Sequence, residues 1–164
     1  MEYYTFYDSP LGPLLLTADP IGITGIWYDN AHKLSKNAME SDSFSHFILL
    51  RSWLDAYFSG KAPDIRILAL HPSGTPFQML IWELLQEIPY GKSATYGDLA
   101  KAAANRLGKM VMSAQAVGGA VGKNPLSIVI PCHRVLGRGS SLTGYAGGLD
   151  RKNFLLDLEK IHYV

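Results

Sequence analysis

The chain has 164 residues, 48% of them hydrophobic, a formal net charge of +1 and a single cysteine. That length allows one sizeable core or two small lobes. No apolar run reaches membrane-spanning length, no internal disulfide can form, and the composition is that of a globular protein rather than a disordered or fibrous one. The near-neutral total hides an asymmetry. Five Lys/Arg oppose eight Asp/Glu up to residue 75, and ten oppose six beyond it. A polyanionic partner would be steered to the second half, although a charge excess of this size is common and points to nucleic acid only in company.

Residues 1–29 predict an antiparallel meander. Tyr3 to Tyr7, Leu14 to Ala18 and Ile23 to Tyr28 are short aromatic or β-branched runs, separated by turn clusters at Asp8–Pro13 and Asp19–Gly22. The start of the chain thus reads as strand, not as a charged-then-apolar signal peptide. The polar stretch from Asn30 to Ser43 predicts a mobile loop. From Ser45, the residues Phe47, Leu50, Leu54, Tyr57 and Phe58 recur at helical spacing, and Gly60 is a natural stop. Lys61 to Gly74 reads as a connector, which places a lobe boundary at 74/75.

The second lobe predicts helices. Thr75 can cap a helix with Pro76 at its first position, and Phe77, Leu80, Ile81, Leu84 and Leu85 form one apolar face ending at Pro89-Tyr90-Gly91. A second helix starts at Thr95-Tyr96, and a third runs from about Ser113 to Val121 after a turn around Gly108. Two short helices joined by a glycine-containing turn read as a helix-turn-helix. The third helix carries Gly118-Gly119 in its interior, at about 1 kcal/mol each relative to alanine. Either close helix packing or a thin face made for a narrow groove could require them. A last helix is predicted from Arg151 to Lys160, with Phe154, Leu155 and Leu158 inward.

Between the third and last helices lies Ile128-Val129-Ile130-Pro131-Cys132-His133-Arg134-Val135. Three apolar β-formers lead into a proline that cannot join a central sheet ladder, so the chain should leave a strand at Pro131. Cys132 follows the break, beside His133 and Arg134, both able to stabilise a thiolate. A lone cysteine is more often a small buried hydrophobe. The proline break, the cationic neighbours and the glycine-rich loop from Gly137 to Gly148 favour a reactive one. A working thiol implies a reducing, cytoplasmic setting.

The runs AVGGAVGKNP, PCHRV and TGYAGG stand here in an order and spacing that resemble the O6-alkylguanine-DNA alkyltransferases, DNA repair proteins that move an alkyl group from a guanine oxygen onto their own cysteine. The resemblance is close from about Thr75 to Glu159, while residues 1–74 match in general character. It implies an α/β (α+β) fold: residues 1–74 as a small antiparallel β-sheet lobe with a helix, and 75–164 as a mainly helical DNA-binding and alkyl-transfer domain with a winged-helix-like helix-turn-helix. It implies that Cys132 accepts the alkyl group, that Glu159 orients His133, that Asn124 links the reading helix to the cysteine segment, and that Tyr96 helps turn the nucleotide out and protonates the leaving base. The helix bearing Ala116 and Gly118 would enter the minor groove of double-stranded DNA. Gln115 stands where most relatives carry an arginine that fills the gap left by the flipped alkylguanine. Arg134, Val135, Tyr145 and Gly147 complete the residues expected to contact DNA or the base. The protein would act once per molecule, as a monomer, with no membrane partner, no metal and no organic cofactor.

His133 next to Cys132 raises a geometric difficulty, since neighbours on a strand point to opposite faces. The histidine must reach the sulfur through a water or through a sharp turn after Pro131. From the residues alone, a Cys/His/Glu hydrolase and a DNA-binding module without chemistry stay open beside the alkyltransferase. The hydrolase leaves the helix-turn-helix unexplained, and the module leaves the cysteine unexplained.

Overall fold

Alternation sets the first element. In the computed structural model, which describes all 164 residues, β1 (Tyr3–Ser9) buries Thr5 and Tyr7 and exposes Phe6 and Asp8. It pairs antiparallel with β2 (Gly12–Ala18) through a tight turn at Pro10-Leu11, and β2 pairs antiparallel with β3 (Ile23–Trp27). Every residue from Leu14 to Ala18 is buried, as a strand covered on both faces requires. The meander expected from the turn clusters is therefore present.

The stretch from Asn30 to Ser43 is not a free loop. It contains a two-residue strand, β4 (Met39–Glu40), which pairs parallel with β1, giving the sheet order β3-β2-β1-β4. Met39 N–H donates to the Glu2 carbonyl and Ser41 N–H to that of Tyr4. The edge of β1 offers backbone groups that a polar segment can satisfy without any hydrophobic pattern, which is why no periodicity marks this strand. Helix α1 (Ser45–Phe58) lies as its periodicity predicts, with Phe47, Leu50, Trp53, Leu54 and Tyr57 buried. Tyr7 donates to Asp55 on this helix at 2.6 Å. Met1–Ser73 forms one compact unit and Gly74–Val164 a second.

In the second unit, α2 (Pro76–Gln86) begins at a complete capping box: Thr75 accepts from Gln78 N–H, and Gln78 accepts from Thr75 N–H. Its buried face is Ile81, Trp82, Leu84 and Leu85; Phe77 and Leu80 are half-buried. Trp82 turns inward because its indole N–H reaches the Ala120 carbonyl at 2.9 Å, tying α2 to α4 (Ala114–Gly122). Gly74 makes room for that ring, since a Cβ there would lie 2.4 Å from it. Helix α3 (Tyr96–Leu107) has its own capping box between Thr95 and Asp98 and stops at Gly108 in the left-handed region, φ 66°. Two short strands, β5 (Ala94–Thr95) and β6 (Val135–Leu136), pair parallel just before α3 and just after the cysteine. Helix α5 (Leu149–Leu158) closes the chain. Its phase differs from the predicted one: Lys152, Leu155 and Leu156 are buried, whereas Phe154 is exposed. The lysine's bonds inside the unit set that phase, and no apolar pattern could reveal them.

Candidate active site

Ile128-Val129-Ile130 is not a strand. The β-branched run is folded into tight turns, a tertiary override of its propensity. Val129 N–H donates to the Ser127 carbonyl at 2.9 Å around Ile128, which sits at φ 75°. A β-branched residue at positive φ is strained, by about 1–3 kcal/mol. A second three-residue turn follows: Cys132 N–H donates to the Ile130 carbonyl at 2.8 Å around Pro131, at φ −81° and ψ 62°. Residues Cys132–Arg134 then form a single 3-10 turn. With three residues per turn, neighbours here point about 120° apart rather than to opposite faces.

Asn124, two residues past α4, holds this arrangement. Its Nδ2 donates to the Ile130 carbonyl at 2.8 Å, and its Oδ1 accepts from Leu126 N–H at 2.9 Å, both bonds buried. Asn124→Ala should strand the buried Leu126 N–H, at about 1–3 kcal/mol, and take one of two donors from the Ile130 carbonyl, which keeps Cys132 N–H. Urea unfolding of that variant would show the loss as a lower midpoint with an unchanged slope.

Cys132 is 6% exposed and lines a cavity of about 310 Å³ together with Tyr96, Gly118, Val121, Gly122, Asn124, Gly144, Tyr145 and Ala146. Burial pushes the thiol above its ordinary value. Hydrogen bonds with the Asn124 and Tyr145 side chains and the nearby Lys152 charge pull the other way without overcoming it. The resting group is thus a thiol, and making the thiolate takes a base.

His133 is fully buried, with Nε2 2.5 Å from Glu159 Oε2. Glu159, directly after α5, also accepts from Arg134 Nε at 2.8 Å and from Gly91 N–H at 3.1 Å. Burial works against the Glu159 charge, but His133 and Arg134 outweigh it and hold the carboxyl down at about 2. Burial lowers His133, against the pull of Glu159. A carboxylate facing a neutral imidazole fixes the tautomer: Nε2 carries the proton, and the lone pair is on Nδ1. Arg134 supplies the charge that lets the imidazole stay neutral.

The structure thus brings Cys132, Asn124, Tyr96, Tyr145 and Gly118 to one cavity, with His133 and Glu159 joined as a pair. Arg134 is placed otherwise than expected. Its guanidinium is buried, bonded to Glu159 and, at 2.6 Å, to the Ile88 carbonyl, so it is neither the thiolate's cation nor a surface contact. Val135 is buried in β6, its carbonyl accepting from Lys152 Nζ at 2.7 Å. Gly147 lies in a neighbouring hollow with Leu149 and Arg151. Gln115 and Ala116 are exposed on α4. Sequence reasoning missed Lys152, the cation that does act on Cys132, because a lysine on a helix reads as a solvent-facing residue.

The two glycines of α4 are not demanded by packing. A Cβ on Gly119 would meet nothing within 4 Å, and one on Gly118 would make ordinary contact with the Tyr96 ring at 3.7 Å.

Comparison with known proteins covers nearly the whole chain. Residues 76–161 match the family model described as 6-O-methylguanine DNA methyltransferase, DNA binding domain, and residues 2–72 match that family's ribonuclease-like domain. A methylated-DNA–protein-cysteine methyltransferase of Haemophilus influenzae is 44% identical, over 99% of this chain and 88% of that one. One of Methanosarcina acetivorans is 42% identical, over 96% and 97%. The crystal structure of Mycobacterium tuberculosis OGT in complex with DNA superposes with a TM-score of 0.81 at 37% identity, covering 96% of this chain and 92% of that one.

Proposed function

This chain belongs to the 6-O-methylguanine DNA methyltransferase family, and on that premise we propose that it repairs DNA by direct reversal, taking the alkyl group of O6-alkylguanine onto Cys132. It is a methylated-DNA–[protein]-cysteine S-methyltransferase that acts once per molecule. The observation that carries the reading is the placement of the chain's single cysteine on a cavity wall, with His133 on the same turn and paired to the buried Glu159.

The reaction follows from the site's chemistry. His133, its Nε2 proton held by Glu159, takes the thiol proton through the Nδ1 side. The thiolate attacks the alkyl carbon, the carbon–oxygen bond breaks, and its electron pair leaves with the guanine. Tyr96 donates a proton to the departing base. The product is a thioether, which no side chain in the site can cleave, so Cys132 is consumed. The cavity is near the lower end of the roughly 300–1,000 Å³ typical of small-molecule sites. A base inside a duplex cannot reach it, so the alkylguanine must be turned out of the stack. Residues 75–164 form the DNA-binding and alkyl-transfer domain and act as a monomer, with α4 in the minor groove. The open space beside Gly119 and the exposure of Gln115 and Ala116 support that docking, because small residues suit a groove only about 6 Å wide.

Incubation with duplex carrying O6-methylguanine, followed by intact mass, tests the reading. One added methyl per chain is expected. Turnover of substrate would point instead to a hydrolase, and binding without a mass change to a module without chemistry.

Gln115 supplies a separate prediction. Here it fills the gap in the stack and hydrogen-bonds the orphaned base, without the phosphate attraction an arginine would add. Gln115→Arg should tighten duplex binding and steepen log K against log salt by about 0.9. Gln115→Gly should slow repair of duplex while sparing free O6-benzylguanine, because unstacking costs a few kcal/mol only in the duplex. Rates on both substrates, side by side, check this; equal slowing would mean the pocket itself was disturbed.

A further inference from the structure

Lys152 is the one lysine in the buried interior of this chain, at 0% exposure on α5. An ammonium offers three donors, and here each has an oxygen: the Val135 carbonyl at 2.7 Å, Thr143 Oγ1 at 3.2 Å and the Gly144 carbonyl at 3.4 Å. Thr143 Oγ1 lies, in turn, 3.2 Å from the Tyr96 hydroxyl. Tyr96 and Gly144 line the cavity that holds Cys132, whereas Thr143 does not. A continuous row of polar atoms therefore runs from a buried cation to the phenol that faces the departing base.

Direction along that row is set by its charged end. Lys152 can only donate, so Thr143 Oγ1 accepts from it. The threonine's own hydrogen is then free to point at the Tyr96 oxygen, and the tyrosine's hydrogen at the cavity. Donors aligned in one sense polarise one another, and the charge at the head makes every later O–H a better acid.

Resting on the alkyl-transfer reading, we propose that Thr143 is a positioning residue that couples the Lys152 ammonium to Tyr96, so that the phenol donates to the guanine as it leaves and is reprotonated from behind. The proton count closes. As the carbon–oxygen bond breaks, the guanine takes the Tyr96 proton, Tyr96 takes that of Thr143, and Thr143 takes one from Lys152. The cysteine proton is meanwhile on His133. Lys152 is left neutral and regains a proton from solvent after the base departs. Burial holds the lysine down at about 8, which makes it a far better proton source than an exposed one. The coupling also serves the nucleophile, since the Lys152 charge and a Cys132 thiolate favour each other.

Thr143→Val keeps the shape and removes the hydroxyl; Thr143→Ser keeps the hydroxyl. On methylated duplex, the valine variant should lose about a hundredfold in maximal single-turnover rate, the lower end for a general acid. The duplex concentration giving half that rate should not change, and the serine variant should keep most of the wild-type rate. A readout that packing would not move is leaving-group sensitivity. The valine variant should lose less on O6-benzyl-8-bromoguanine than on O6-benzylguanine, because the brominated base leaves with less need of a proton. A valine variant as fast as wild type, a serine variant as slow as valine, or equal losses on the two bases would each overturn the role of Thr143. Methyl transfer by the wild-type chain in the same assay tests the underlying reading separately: without it that reading falls, and the relay with it.

Discussion

Cys132→Ser is expected to abolish alkyl transfer, with a rate loss of more than about a thousandfold, the scale seen when the nucleophile of a concerted unit is removed. The reason is chemical and not structural. A serine hydroxyl fits where the thiol sits, but at neutral pH it is far less readily deprotonated and a poorer nucleophile. The His133–Glu159 pair cannot make up the difference, because a neutral imidazole is too weak a base to ionise an alcohol without an acyl-type transition state to assist. Duplex binding should survive, since α4 is untouched and the cavity changes by a single atom. Intact mass after exposure to methylated duplex reads the first effect, and band shift with the same duplex the second. Methyl transfer to the serine variant would remove Cys132 from the centre of the reaction.

The second large effect concerns Glu159. Glu159→Ala should destabilise the chain by about 3–5 kcal/mol, because it leaves the Arg134 cation and the His133 ring buried without their shared carboxylate. Its rate loss should not add to that of His133→Ala; each alone should cost about 10²–10⁴-fold, and the double variant about as much as either, because the two act on one proton. Strictly additive losses would make Glu159 a structural residue only. Its titration gives a further signature. The folded value, about 2, lies below that of an unfolded glutamate. The charge therefore stabilises the fold fully above pH of about 4.5, and that contribution is lost as pH falls toward 2. Glu159→Gln should flatten the urea midpoint across this window relative to wild type. An unchanged slope would mean that other carboxyls dominate acid unfolding.

What the amino-acid sequence shows by itself is local. Thr75-Pro76, Thr95 and Ser113 announce helix starts because a capping side chain bonds a backbone group only three residues on. The meander was legible from its turn clusters, and the position of Cys132 from Pro131. What could not be read depends on partners distant in the chain. Ile128 to Ile130 carry every local sign of a strand, yet Asn124 and the turn at Pro131 fold them otherwise. Arg134 looks like a cation for the thiol until Glu159 and Ile88 are seen to hold it. Lys152 looks like a surface residue until the Val135 carbonyl is found above it. In each case hydrogen bonds made outside the local pattern outweigh a weak intrinsic preference.

The depth at which Cys132 sits bears on what happens before any lesion is met. Oxidants and general electrophiles attack the thiolate, and attack it where solvent can carry them. A thiol that is 6% exposed and held protonated by its surroundings offers them little of either. In the proposed reaction the thiolate is used when a turned-out base brings its alkyl carbon into the cavity that Cys132 lines. For a molecule that can act once, this is chemical patience: the selectivity lies less in which alkyl group the sulfur prefers than in how long it ignores everything else.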